Sequence, residues 1–338
     1  MRKPVTVLTA ALLAVSLAAC GGSTPDTTSS ATSKSEAAEA SVEESSPEFI
    51  TLTTWNAAGE AVEVEFPYAP QRLAVMDLAV LDILDNIGCG DRVVGVSKGS
   101  SIDYLQDYVN DDALLNLGTV KEADMEAVME CEPDVIFIGG RLGSMYDELS
   151  KIAPVYQIKT DVSAGLVQST AENALAIASL FGEQGQIEAL VSDYADRIAA
   201  LQAVAEGKTA IVGMVNAGGF SLLGNDGRCS LIGREIGFEN VGVDADTDTS
   251  AHGNEASFEF VLDKNPDYIF AMDRDAAIGT QGAQLAAEVL DNELINKTDA
   301  AQNGRVVVLE HSNVWYTAEG GITALRVMLQ DLENAMLG

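Results

Sequence analysis

Basic residues are scarce in this chain of 338 residues: 19 lysines and arginines stand against 52 aspartates and glutamates, a formal net charge of −33. Nucleic acid and anionic lipid surfaces both require a basic face, so this balance argues against either as a partner. It also repels small anions, unless a few arginines converge on one place. Histidine is rarer still, with two residues and no close spacing between them. A site for bare zinc or manganese needs a dense shell of imidazoles and carboxylates, which this count disfavours. No His-Glu-x-x-His pair and no phosphate-cradling glycine loop closed by lysine occurs, which weighs against an exported enzyme. The chain also lacks an uninterrupted apolar run long enough to span a bilayer, which takes about 20 residues. Its longest, Val5 to Leu17, is broken by Thr6, Thr9 and Ser16.

That short run follows Arg2 and Lys3 and ends in Leu17-Ala18-Ala19-Cys20, which gives a charged start, an apolar middle and small residues at a cut. The cysteine resembles that of the lipobox in bacterial lipoproteins. The resemblance implies a signal peptide over 1–19 and a lipid anchor on Cys20, placing the protein outside the cytoplasm and tethered to a membrane. From Gly21 to Glu48 the chain is mostly Ser, Thr, Ala, Gly and acid, with no aromatic residue. Such a stretch buries too little apolar surface to offset its conformational entropy, so 20–48 reads as a disordered acidic tether.

A spaced pattern occurs twice in the rest. Glu126, Pro133, Asp134, Ile136, Phe137 and Arg141 recur 133 positions later as Glu259, Pro266, Asp267, Ile269, Phe270 and Arg274. Each copy reads as a short helix, a Pro-Asp stop, a buried strand and an arginine just past the strand's C-terminal end. Strand-like runs at 72–76, 93–96 and 135–138, with shorter ones near 114 and 154–158, alternate with helical patterns at 78–87, 124–131 and 145–151. Further strands at 210–214, 268–272 and 306–309 alternate with helices at 230–236, 258–263, 282–291 and 322–336. Alternation of this kind predicts mainly parallel sheets. The expected fold is α/β: two pseudo-symmetric lobes, 49–185 and 207–338, with a ligand cleft between them. Residues 186–206 keep a helical period without Gly or Pro, and predict one connecting helix about 30 Å long.

The segments "YAPQRLAVMDLAVLDILDNIG", "LGTVKEADMEAVMECEPDVIFIGGR", "SAHGNEASFEF" and "VWYTAEGG" resemble those of solute-binding lipoproteins of ATP-driven importers. Within that class they resemble the helical-backbone binders of catecholate siderophores of the enterobactin and petrobactin types, from about residue 60 onward. The resemblance implies capture of a ferric siderophore and its delivery to an ABC permease dimer with ATPase subunits. The iron would arrive within the ligand, with no intrinsic cofactor, no catalysis and a monomeric protein. Haem or a corrinoid is the alternative cargo; each needs fewer cationic groups and a larger apolar cleft.

Ligands of parallel α/β sheets sit beyond the carboxyl ends of the strands, where the repeat puts Arg141 and Arg274. Arg228 follows Gly224-Asn-Asp-Gly227 after the first strand of the second lobe. Three permanently charged planar donors suit an anionic ferric catecholate, and by resemblance these three are the ligand-binding arginines. Trp315, for ring stacking, and Lys98, after the 93–96 strand, are further ligand candidates. The resemblance also assigns His252 and Tyr316 to complete the coordination of iron held by a tetradentate siderophore, with Fe(III) and phenolate both hard. His311 reads as structural. Glu126 and Glu259, one per lobe, map onto the carboxylates that dock with the permease. Cys89 and Cys131 each lie four residues before a strand; if those strands are neighbours, a disulfide between them is expected. Cys229 is then unpaired.

Overall fold

The computed structural model describes residues 46–99, 102–243 and 253–338. The expected signal peptide, Cys20, the tether up to residue 45 and His252 lie outside the described residues. The first element is a hairpin absent from the sequence expectation, β1 (Phe49–Trp55) paired antiparallel with β2 (Ala61–Pro67). Its pattern is period two, with Val62, Val64 and Phe66 alternating with Glu63 and Glu65. Asn56 closes the turn, its side-chain oxygen accepting the N–H groups of Ala58 and Glu60. The hydroxyl of Thr54, fully buried, accepts the Gln157 N–H at 2.7 Å and so fastens the hairpin to the first lobe.

That lobe holds β3 (Leu73–Met76), β4 (Val93–Val96), β5 (Leu115–Asn116), β6 (Val135–Ile138) and β7 (Val155–Gln157), all parallel in the order β5-β4-β3-β6-β7. Strands buried on both faces are apolar at every position, as β3 and β6 are. The second lobe holds β8 (Thr209–Asn216), β9 (Gly219–Leu222), β10 (Glu239–Asn240), β11 (Asn254–Glu255), β12 (Tyr268–Asp273) and β13 (Val306–Val308). Its order is β11-β9-β8-β12-β13, with β10 also on β8; β8, β10, β12 and β13 are parallel, while β9 runs antiparallel to β8 and β11.

The repeated strands β6 and β12 hold equivalent places, and their preceding aspartates do equivalent work. Asp134 accepts the N–H groups of Gln71 and Arg72 ahead of β3, and Asp267 accepts the N–H of Thr209 at the start of β8. Each Pro-Asp turn thus fixes the strand beside it.

Both lobes belong to one compact unit. One apolar layer runs through them, from Leu73, Val75 and Phe137 by way of Tyr194 and Leu201 to Val212, Phe270 and Met272, while the outer face of each sheet has its own smaller core. The connector is two helices rather than one, Gln184–Val191 and Tyr194–Ala205, with a turn at Ser192 and Asp193. The C-terminal helix Ile322–Met336 reinforces it: Tyr194 donates to the Ile322 carbonyl at 2.6 Å, and Arg197 grips Glu333 bidentately at 2.7 and 2.8 Å. The same helix is capped from the first lobe, where buried Asp82 accepts the N–H groups of Thr323 and Ala324, both at 2.9 Å.

The expected Cys89–Cys131 disulfide is not formed; both thiols are free and buried. Strand β3 lies between β4 and β6, so the two strands are not neighbours. The cysteines also face opposite sides of the sheet, Cys89 in the shared layer and Cys131 in the outer core. There Cys131 fills the space over Gly95, where a Cβ would come within 2.7 Å of its sulfur.

Candidate ligand-binding site

The turns after β6 and β12 and the loop after β9 bring the three arginines to one point. Arg141 lies in the 3-10 turn Gly140–Met145 after β6, and Arg274 opens the short helix Arg274–Ala277 after β12. Arg228 precedes the helix Ser230–Arg234, entered through Cys229 in a left-handed conformation with φ of 61°. All three surround Tyr316, their guanidinium carbons 5.4, 4.5 and 5.7 Å from its ring centroid for Arg141, Arg228 and Arg274. Arg141 and Arg228 donate to the Tyr316 carbonyl at 3.4 and 3.3 Å, and Arg274 Nε donates to the phenol oxygen at 3.1 Å. Asn216, at the end of β8, accepts from Arg274 at 2.8 Å and holds it in place.

Like charges at this range repel, and Asp275 reaches Arg274 only at 3.9 Å. A cluster of three such charges attracts an anion. Burial disfavours ionisation of the Tyr316 phenol, but the Arg274 hydrogen bond and the three guanidinium charges outweigh it and hold the phenol below its ordinary range. Burial and the neighbouring Arg228 likewise depress Arg141.

Two adjoining recesses of about 300 Å³ each meet here. The first is lined by Arg141, Arg228, Tyr316, Asp77 and Glu319, the second by Trp55, Gln157, Lys159 and Thr160, and Asp77, Gly140 and Glu319 line both. Asp77 caps the helix Leu78–Asn86, accepting the N–H groups of Ala79 and Val80. Gly139 makes room for it, because a Cβ there would stand 2.1 Å from the Asp77 carboxylate. In the second recess Lys159 Nζ sits 3.7 Å above the centre of the Trp55 indole, a cation–π contact.

Other candidates fall elsewhere. Trp315 is fully buried with its indole N–H on Asp331 at 2.9 Å. One residue is about 100° of helix, so Trp315 turns into the core while Tyr316 turns to the arginines, and ring stacking on a ligand is corrected to core packing. Lys98 spends its ammonium on the Asp111 carbonyl at 2.6 Å and does not line the arginine recess. His311 is structural as expected: its ring and N–H both meet Asp331, at 2.7 and 3.0 Å. Glu310, His311 and Asp331 form a close ligand-type cluster, but Asp331 is already engaged by His311 and Trp315. Glu126 and Glu259 are both exposed in the first turns of corresponding helices, Met125–Glu130 and Phe258–Lys264.

Three site features escaped sequence reasoning. Glu319 was hidden among 52 acids, although it lies in the glycine-rich loop just after Tyr316. Trp55 and Lys159 belong to a hairpin and a strand end that were not connected. A fourth feature, Gly95-Val96-Ser97-Lys98-Gly99, has the spacing of a hydrolase nucleophile elbow. Ser97, however, is buried and its hydroxyl has no hydrogen-bond partner among the described residues; a nucleophilic serine needs a base within reach.

Comparison with known proteins agrees with this architecture. The family model for periplasmic binding protein (Peripla_BP_2) matches residues 73–312. The petrobactin-binding protein YclQ of Bacillus subtilis is 31% identical over 272 residues, covering 80% of this chain and 84% of that protein. The ferric-anguibactin-binding protein FatB of Vibrio anguillarum is 28% identical over 271 residues, covering 78% and 81%. The crystal structure of YclQ superposes with a TM-score of 0.78 at 29% identity, over 86% of this chain and 99% of that one. The periplasmic catecholate-siderophore binding protein VctP of Vibrio cholerae gives 0.75 at 28%, over 84% and 100%. The two α/β lobes share the fold of these solved structures, and the chain is a member of the periplasmic binding protein family.

Proposed function

We propose that this protein captures a ferric siderophore of the catecholate type outside the cytoplasm and delivers it to an ABC permease, binding without turnover. The observation that carries the reading is the convergence of Arg141, Arg228 and Arg274 on Tyr316. In a chain of net charge −33, a cationic focus of this kind singles out an anionic ligand. Guanidinium forks match the paired oxygens of a catecholate. The names of YclQ, FatB and VctP, all binders of siderophores or their ferric complexes, point the same way. The iron is cargo within the ligand. The depressed phenol of Tyr316 favours phenolate, a hard donor suited to Fe(III), and His252 is its proposed companion when the siderophore leaves coordination positions open.

Lipid anchoring through Cys20 and permease docking through Glu126 and Glu259 complete the reading. The exposure of both glutamates on corresponding helices supports the docking role. Among the described residues no helix is long and apolar enough to cross a membrane. Uptake of radioactive iron as the ferric siderophore by whole cells tests the docking pair. Reversing both charges, Glu126→Arg with Glu259→Arg, abolishes uptake while ligand binding by the purified protein is retained; undiminished uptake contradicts the assignment.

A further inference from the structure

Two carboxylates line the arginine recess, and they are placed differently. Asp77 is committed to the Leu78–Asn86 helix, whose first N–H groups and positive dipole end offset part of its charge, although burial still raises its carboxyl. Glu319 has no such helix. It stands in the loop three residues after Tyr316 and lines both recesses. It accepts the Cys229 N–H at 3.2 Å. Its closest compensating charge is Arg228, the same guanidinium that lies 4.5 Å from the Tyr316 ring centroid. Glu235 presses on it with like charge, while Glu235 itself accepts the Leu166 N–H. Among the described residues, the charged and titratable groups around Glu319 are Arg228, Cys229, Glu235 and, lining the same recesses, Arg141, Lys159, Tyr316 and Asp77.

A carboxylate here subtracts from the field that three guanidinium groups present to an anion. Fe(III) held by two catecholates carries a single negative charge, and Fe(III) held by three carries a triple one. A cleft whose guanidinium charges are partly offset by a carboxylate gains less from the third pair of negative oxygens than the same cations alone would. We propose that Glu319 is a specificity-determining residue of the cleft, offsetting one guanidinium so that the site favours ferric complexes of low negative charge over triply charged ones. The inference rests on the ferric-siderophore reading and refines it. Burial pushes the Glu319 carboxyl up to about 7, against the opposing pull of Arg228 and the Cys229 N–H. The offset is therefore full at pH 8 and fades towards pH 6, where the carboxyl takes a proton.

The test is tryptophan-quenching titration of the full chain with Fe(III) complexes of a tetradentate bis-catecholamide and a hexadentate tris-catecholamide, at pH 8 and pH 6. Glu319→Gln keeps the shape and an acceptor for the Cys229 N–H while removing the charge. At pH 8 it should shift the affinity ratio towards the triply charged complex by at least about tenfold, the scale of one unit charge at partly buried range. Lowering the pH to 6 should move the wild-type ratio towards that of the variant. Glu319→Ala, which removes the charge and the acceptor together, should give the same ratio, separating charge from loop packing. An equal change for both complexes in Glu319→Gln, or a ratio that differs between the two variants, overturns the inference while the siderophore reading stands. Binding of neither complex by wild type and variants alike overturns both.

Discussion

The arginines are unequal in their supports, and their substitution should show it. Arg274 is held by Asn216 and the Tyr316 phenol, whereas Arg141 is exposed to the cleft and held by a single long bond to the Tyr316 carbonyl. Arg141→Ala should weaken a ferric catecholate by roughly 10- to 150-fold, the worth of a charge-assisted hydrogen bond at about 1.5–3 kcal/mol, with unfolding unchanged. Arg274→Ala should cost at least as much, because it also releases the phenol. Equilibrium titration of each variant, with its melting curve, checks both. Glu319 gives a stability prediction of defined sign. Its folded-state value of about 7 lies above the ordinary 4.5, so the folded protein holds a proton that the unfolded chain has lost. That contribution is full below about 4.5 and is lost as pH rises through 7. Glu319→Gln should therefore be neutral near pH 4.5 and stabilising by about 1–2 kcal/mol at pH 8 in urea unfolding. An equal effect at both pH values contradicts the raised carboxyl.

At the scale of elements, buried carboxylates join pieces that apolar packing alone leaves free to slide. Asp82 caps the C-terminal helix from the first lobe, and Asp331 ties the Ser312–Thr317 helix through His311 and Trp315. Removing either leaves buried N–H groups without acceptors, so Asp82→Ala and Asp331→Ala should each lower unfolding stability by roughly 2–4 kcal/mol, read from denaturant midpoints. Only Asp331→Ala should also weaken ligand binding, because its helix carries Tyr316. The repeat was legible because β6 and β12 are buried on both faces and ended by the same Pro-Asp turn, which leaves Arg141 and Arg274 at equivalent strand ends. What escaped depended on contacts distant along the chain. The β1–β2 hairpin has readable alternation, but its place beside the cleft depends on the Thr54–Gln157 bond, which spans 103 residues. Residues 186–206 lack Gly and Pro, so nothing local marks the turn at Ser192 and Asp193. The position of each cysteine before a strand carries no information about sheet order or face, and for that reason the expected disulfide failed.

For the whole molecule, the shared apolar layer and the paired connector helices leave the lobes little freedom to separate. The three described cysteines are buried, Cys89 and Cys229 in the shared layer and Cys131 in an outer core, and burial raises each thiol, so all three should resist thiol reagents in the native state and react only in denaturant. Rapid native labelling of Cys229 would show that the lobes part more widely than this core allows. Binding itself has a built-in reporter. Of the two tryptophans, Trp315 is sealed in the core while Trp55 lines the recess beside the arginines. The decisive measurement is a fluorescence titration of the protein with ferric bis- and tris-catecholates, haem and cobalamin, repeated in Trp55→Phe and Arg141→Ala. Tight quenching by the catecholates, largely lost in Trp55→Phe and shifted to higher concentration in Arg141→Ala, is the expected result. Haem or cobalamin binding with no response to the catecholates would contradict the siderophore cleft while leaving the family intact.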